Sequence, residues 1–211
     1  IGIVNSDAPL LPGAISEIVN FIVANPKIIG VYTDWIKTDK DGKEIEKVIL
    51  PDYNYEYMLR KHNCTPGPAT FYRKIIVDKL KGRDDRFKYV SDFDFWLRAG
   101  LIGKFARIPK FLTTFRVHPE AATAKNKGFV MAMEHITLLN KFFSFSNLPP
   151  NIEKIRSEAY DKACEAARIC RGERISTKVL ISLISLYYSP FPYLKIFIRY
   201  RLEKLRKFML I

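Results

Sequence analysis

The sequence predicts an α/β fold followed by an α-helical C-terminal region, on three observations. Up to about residue 120, short β-branched and aromatic runs alternate with segments of helical period. Turn chemistry separates them, as in "LLPGA", "DKDGK" and "TPGPA". From Ala121 onward the pattern is almost wholly helical, broken at "NLPPN" and again at "YYSPFPYLK". The expected division is therefore an α/β part over residues 1–123 and a helical tail over 124–211.

Taken in order, Ile1–Val4 reads as a short buried strand and Asn5–Gly13 as a loop. "ISEIVNFIVANP" places Ile15, Ile18, Val19, Ile22 and Val23 at the spacing of an amphipathic helix that must stop before Pro26. "IIGVYTDWIKTD" is a strand, and the Asp-Gly of "DKDGKEI" turns it into a hairpin. "YNYEYMLRKHN" is a short helix, and "CTPGPATFYRK" is a loop entering a strand or helix. "SDFDFWLRAGLIG" is a helix whose acidic first turn suits the helix dipole. "KFARIPKFLTTFRVH" reads as a further pair of strands.

Composition bounds the function. The 211 residues are 48% hydrophobic with a formal net charge of +13, enough apolar content for a packed core and a charge that calls for an anionic surface or ligand. Cys64, Cys164 and Cys170 form no CxxC pair and read as thiols in a reducing compartment. No charged-then-apolar leader opens the chain. Basic residues are spread along it without a nucleic-acid-binding motif, so nucleic acid is not the expected partner.

Several residues are candidates for chemistry. Asn5 and Asp7 stand where a strand gives way to a loop, the end of an α/β sheet where ligands bind. Their oxygens suit a hard divalent cation that in turn binds phosphate; the alternative is an Asx turn that caps the next helix. Asp92 and Asp94 flank Phe93 and cannot share a helix face. One is expected to face a cleft while the other caps or pairs. A carboxylate among Phe93, Phe95 and Trp96 suits a general base through desolvation, and an N-cap at Ser91 or Asp92 is the plainer reading. His118 is a potential metal ligand or a loop histidine, and Arg116 a diphosphate contact or an ion-pair partner. Gly67 permits close backbone approach, with Arg73 and Lys74 nearby. The patterns GxxxxGK[ST], HExxH and GxSxG are all absent.

The order of these signals is more specific than any one of them. "NSDAPLLPGAI", "PATFYRK", "SDFDFWLRAG" and "IPKFLTTFRVHPEAAT" follow one another as the motifs do in the second half of family two glycosyltransferases of the GT-A fold, which this chain resembles over roughly 1–123. The resemblance implies a partial GT-A, Rossmann-like domain whose nucleotide-binding first half lies upstream of the chain. It implies transfer of a sugar from a nucleotide-diphosphate sugar to an acceptor hydroxyl, with inversion and with Mg²⁺ or Mn²⁺. Asn5 and Asp7 then stand at the metal- and donor-binding Asp-x-Asp position, and Asp92 at the catalytic base. His118 stands at the late metal- or diphosphate-contacting histidine with Arg116 beside it, and Gly67 and Pro68 on the acceptor side. Ala8 replaces the usual second acid of NSDD, and Ser91 the usual acid before Asp92. No Q-x-x-R-W pattern of processive synthases is present.

The tail, "KVLISLISLYYSPFPYLKIFIRYRLEKLRK", is apolar first and basic last, and Pro190 and Pro192 interrupt it. It reads either as an interfacial segment on an anionic membrane leaflet or as a helical hairpin with a solvated basic face. In the first reading Tyr187, Tyr188, Phe191 and Tyr193 sit at headgroup level, and Arg199, Arg201, Lys204, Arg206 and Lys207 face phosphates. The expected setting is cytoplasmic and peripheral at the inner membrane face, with a glycan or lipid-linked acceptor. The alternatives are a non-catalytic basic binding module and a decayed transferase.

Overall fold

The computed structural model describes residues 1–118, 128–168 and 175–188. Among these residues the chain is a mixed α/β protein with eight helices and a four-stranded sheet. It divides into two compact units, residues 1–59 with 63–125 and residues 60–62 with 126–211.

The first unit is organised around β1 (Gly30–Thr38), buried from Gly30 through Asp34. Along one edge runs β4 (Phe105–Arg116), parallel, from Gly30 opposite Phe105 to Thr38 opposite Arg116. A strand has two edges, so the other edge is shared. The two-residue β3 (Phe71–Tyr72) pairs antiparallel with Gly30 and Val31, and β2 (Glu44–Val48) pairs antiparallel with Trp35–Thr38. The hairpin turns through Gly42 at φ 86°, as the Asp-Gly signal required. The described residues form no parallel Rossmann sheet. A hairpin returns the chain antiparallel at once, and only the long excursion between β1 and β4 is a crossover.

Two sequence expectations change here. The predicted strand pair at 104–118 is a single twelve-residue strand, β4. Its Pro109 falls where the register with β1 shifts between Thr33 and Asp34, so the missing N–H interrupts a ladder already broken. Ile1–Val4 is not a buried strand: Gly2 makes one bridge to Phe71, and Ile1, Ile3 and Val4 are 52%, 45% and 47% exposed. Pairing on one side leaves their side chains uncovered.

Helix α1 (Ala14–Ala24) follows Pro12-Gly13, and Gly13 takes the left-handed φ of 79°. It buries Ala14 and Ile18 against Val31, Ile108 and Leu112 to make the core beside the sheet. Its C-terminal carbonyls are satisfied from a distance: Arg73 donates to Ile22 and Asn25 oxygens at 2.7 and 2.9 Å, and to Ile28 at 2.8 Å. Arg73, expected near a ligand loop, therefore holds the helix end, and Lys74 pairs with Asp78.

Helices α2 (Tyr55–Lys61), α3 (Lys74–Leu80) and α4 (Ser91–Gly100) fill the excursion. Phe93, Phe95, Trp96, Leu97 and Ala99 of α4 are all buried, so it is a core helix rather than an amphipathic one. Between β1 and β4, Arg107 forks onto Asp34 with bonds of 2.8 and 2.6 Å, and Asp34 also accepts from the Leu50 N–H. A carboxylate only 3% exposed is thus fully hydrogen-bonded.

The second unit comprises α5 (Gly128–Phe142), α6 (Pro150–Lys154), α7 (Arg156–Arg168) and α8 (Ile175–Tyr188), and buries Ile136, Leu139, Phe142, Ile155 and Ala163. The "NLPPN" break is where α6 begins, with Pro150 in its first turn. Asn140 fixes two tyrosines at once: Tyr160 donates to its Oδ1 at 2.7 Å, and its Nδ2 donates to the Tyr188 oxygen at 3.0 Å. The two phenol rings stack 5.0 Å apart. No described helix is long and apolar enough to cross a membrane. Residues Phe191 to Lys207 of the expected interfacial tail, and Cys170, lie outside the described residues.

Candidate functional site

Two groups of side chains in the first unit concern the sequence candidates. The first gathers at the C-terminal ends of β1 and β4, which coincide because the strands are parallel (Thr38 opposite Arg116). The loop holding Asn5 and Asp7 runs antiparallel along the outer edge of β4. Its contacts are Leu10 bridging to Thr113, the Thr114 N–H donating to Pro9, and the Arg116 N–H donating to the Asp7 carbonyl at 2.7 Å. Thr113, fully buried, has its hydroxyl within donating distance of the Pro9 carbonyl at 2.9 Å and the Ala8 carbonyl at 3.1 Å and so fastens the same loop. Within it, the Ala8 N–H donates to the Asn5 carbonyl at 3.0 Å, a backbone turn rather than the Asx turn expected, and no side chain caps α1, whose N-cap is Gly13. Asn5 is exposed and Asp7 half-buried.

Arg116 is exposed at the last position of β4, and the half-buried His118 follows two residues on. The Val117 N–H is held by the Thr38 carbonyl at 2.9 Å, which keeps the chain along β1 as far as that point. Backbone register thus brings Asp7, Arg116 and His118 to one corner of the sheet. Ala8, at the place of the missing acid, is 1% exposed.

Gly67 lies on a loop closed by the Thr70 hydroxyl, which donates to the Gly67 carbonyl at 2.6 Å. Its Cα hydrogen faces the Trp35 indole: a methyl added there would meet Trp35 Nε1 at 3.6 Å, ordinary contact. Trp35 stands on β1 opposite Thr113, and its ring meets Phe115 edge-on at 5.4 Å. Gly67 therefore looks toward the C-terminal half of the β1–β4 pair.

The second group surrounds Asp92 at the start of α4. The residue preceding the helix is Val90, and its side chain makes no cap; Asp92 itself accepts from the Phe93 N–H at 2.7 Å. The N-cap reading of Ser91 or Asp92 is corrected: both lie inside α4, and the Asp92 carboxylate accepts from its neighbour in the first turn. Burial raises the Asp92 carboxyl above the ordinary range, opposed by that N–H and by the Arg83 charge. The same Arg83 acts on Tyr72, whose hydroxyl accepts the Trp96 indole N–H at 2.6 Å and is pushed up to about 12, chiefly by burial. Asp94 takes the other role expected for the pair. It is 3% exposed and bound to Arg98, whose guanidinium also donates to the Leu80 and Gly82 carbonyls.

Arg83, Tyr72 and Trp35 were not singled out from the sequence. Only their long-range partners mark them.

Among the described residues no group of three or more His, Cys, Asp or Glu side chains could hold a metal by itself. Backbone register brings Asp7 and His118 to one corner, with Asn5 on the Asp7 loop; these residue types could contribute to Mg²⁺ or Mn²⁺ held mainly by a substrate's phosphates, which takes one or two protein carboxylates rather than a full cage. No protein-family model matches the chain, and no curated protein matches its sequence.

Proposed function

We propose that the chain is part of a family two glycosyltransferase of the GT-A fold, which transfers a sugar from a nucleotide-diphosphate donor to an acceptor hydroxyl with inversion. The observation that carries this reading is the meeting of two of the four ordered motifs. The Asp7 loop and the Arg116–His118 segment are unrelated in sequence, and they run side by side at the carboxyl end of a parallel strand pair.

In this reading Asp7 and His118 hold Mg²⁺ or Mn²⁺, with Asn5 beside them, and the cation neutralises charge on the departing diphosphate. The exposed Arg116 guanidinium adds a fixed positive charge on the same side. Asp92 takes the proton from the acceptor hydroxyl as that oxygen bonds to the anomeric carbon and the bond to the diphosphate oxygen breaks. A carboxyl raised by burial is a stronger base than an ordinary aspartate, which suits this step. Gly67, with Pro68, keeps the acceptor side open next to Trp35. The sugar, the base and the linkage are set by residues outside these motifs.

The test is Mn²⁺-dependent release of nucleoside diphosphate from a panel of nucleotide sugars, using this chain and the complete open reading frame that contains it. Turnover abolished by Asp92→Asn and by Asp7→Ala supports the reading. Gly67→Ala is sterically allowed, so a loss of acceptor-dependent turnover in a folded Gly67→Ala protein would place the acceptor there. A well-folded complete protein that turns over no donor points instead to a decayed transferase or a basic binding module.

A further inference from the structure

Helix α8 carries an apolar face that nothing in the described second unit covers. Val179, Leu180, Leu183, Leu186 and Tyr187 are 54%, 48%, 59%, 49% and 80% exposed. Their spacing of i, i+1, i+4, i+7 and i+8 lays them on one stripe, about 12 Å long at the helical rise. The helix is anchored from elsewhere on its surface, since Tyr188 stacks on Tyr160 and accepts from Asn140. Tyr187 stands at 87° to Tyr188 and points into solvent. Large apolar side chains in a contiguous row mark an interaction surface, whereas scattered ones do not.

The charge of the sequence identifies the partner. Residues 175–188 contain no acid, and residues 189–211 carry six Lys or Arg against the single acid Glu203. An apolar stripe ending in paired tyrosines and followed closely by cations has the chemistry of the boundary between acyl chains and anionic headgroups. Among the described residues no helix is long and apolar enough to cross a membrane.

We infer that the α8 stripe docks the protein on an anionic membrane leaflet, lying in the interface with Leu183 and Leu186 at its centre and Tyr187 at headgroup level. The site is independent of the transferase reading, since its test measures binding and needs no donor.

The experiment is vesicle flotation of the full chain, with phosphatidylcholine alone and with a phosphatidylcholine–phosphatidylglycerol mixture. The wild-type chain is expected to float with the anionic vesicles at least tenfold better than with the neutral ones. The double variant Leu183→Asp/Leu186→Asp should lose at least tenfold of that binding with an unchanged melting curve, as both side chains are exposed. Tyr187→Ser, a milder change at the most exposed position, should lose part of it. Three results overturn the proposal: no flotation of the wild-type chain with anionic vesicles, variants that float as well as the wild type, or a solution dimer that the double variant breaks without any vesicle binding.

Discussion

The backbone N–H of Arg116 donates to the carbonyl oxygen of Asp7 at 2.7 Å, joining the end of β4 to a loop near the opposite end of the first unit's sequence. The contact uses main-chain atoms only, so the Asp7 carboxylate is not needed to make it. Asp7→Ala should therefore leave the stability within about 0.5 kcal/mol of the parent. In the transferase reading it should lower Mn²⁺-dependent turnover on the order of a hundredfold, the scale for losing one group that stabilises charge on the leaving side. Melting curves and donor turnover on the same preparation check both halves.

Asp92 predicts a trade between activity and stability. Its carboxyl is raised by burial, so the folded state holds the proton more tightly than the unfolded state does. Stability contributed at this position is present below the unfolded carboxyl value and is lost as pH rises through the raised one. At neutral pH the ionised form is thus the less stable. Asp92→Asn, which can still accept the Phe93 N–H, should melt no lower than the parent at pH 7.5 while turnover falls by roughly 10²–10⁴-fold. The acid limb of the pH–rate profile should lie above the ordinary aspartate range, and an acid limb at about 4 contradicts the assignment.

His62 and His135 stack 4.7 Å apart, and burial lowers them to about 3 and about 4. Both are neutral in the fold at neutral pH, whereas an unfolded histidine titrates near 6.5. The unfolded state then binds more protons as pH falls below that value, so stability is full above it and declines toward pH 4. The limiting slope is about 1.4 kcal/mol per pH unit for each imidazole. Denaturant titrations at pH 7.5, 6.0 and 5.0 should show this decline in the second unit, and His135→Gln should flatten it. Equal stability at the three pH values would contradict the burial of the pair.

The Asp34–Arg107 pair predicts strong non-additivity. Arg107→Met leaves a carboxylate that is 3% exposed without its cation, a loss of about 3–5 kcal/mol. Asp34→Leu combined with Arg107→Met should cost less than Arg107→Met alone, because no buried charge remains. Urea unfolding of the single and double variants measures the coupling.

Local rules were strong where the chain punctuates itself. Pro12-Gly13 and Pro26 bracket α1, Asp41-Gly42 turns β1 into β2, and the acidic Ser91–Asp94 turn opens α4, all within a residue or two of the sequence reading. Two short-range readings failed for one reason. Alternation within "KFARIPKFLTTFRVH" cannot tell two strands from one bulged strand, since the bulge is defined by its partner β1. The apolar run Ile1–Val4 looks buried by composition, yet burial depends on which neighbours cover it.

The candidate site divides in the same way. The sequence by itself determined the residue types and their order: an Asn-x-Asp loop, a glycine loop, an acidic helix start and an Arg-x-His end, with a basic tail behind them. Only the tertiary structure decided their neighbours. It placed Asp7 against Arg116 and Gly67 against Trp35, and it gave Asp92 a half-buried setting under the Arg83 charge. It also gave Asp94 to Arg98 and Arg73 to the end of α1. The physical reason is range. Turn and helix preferences act over a few residues, whereas a side chain's burial, charge partner and proton affinity are set by strands and helices that the chain reaches only after a long excursion.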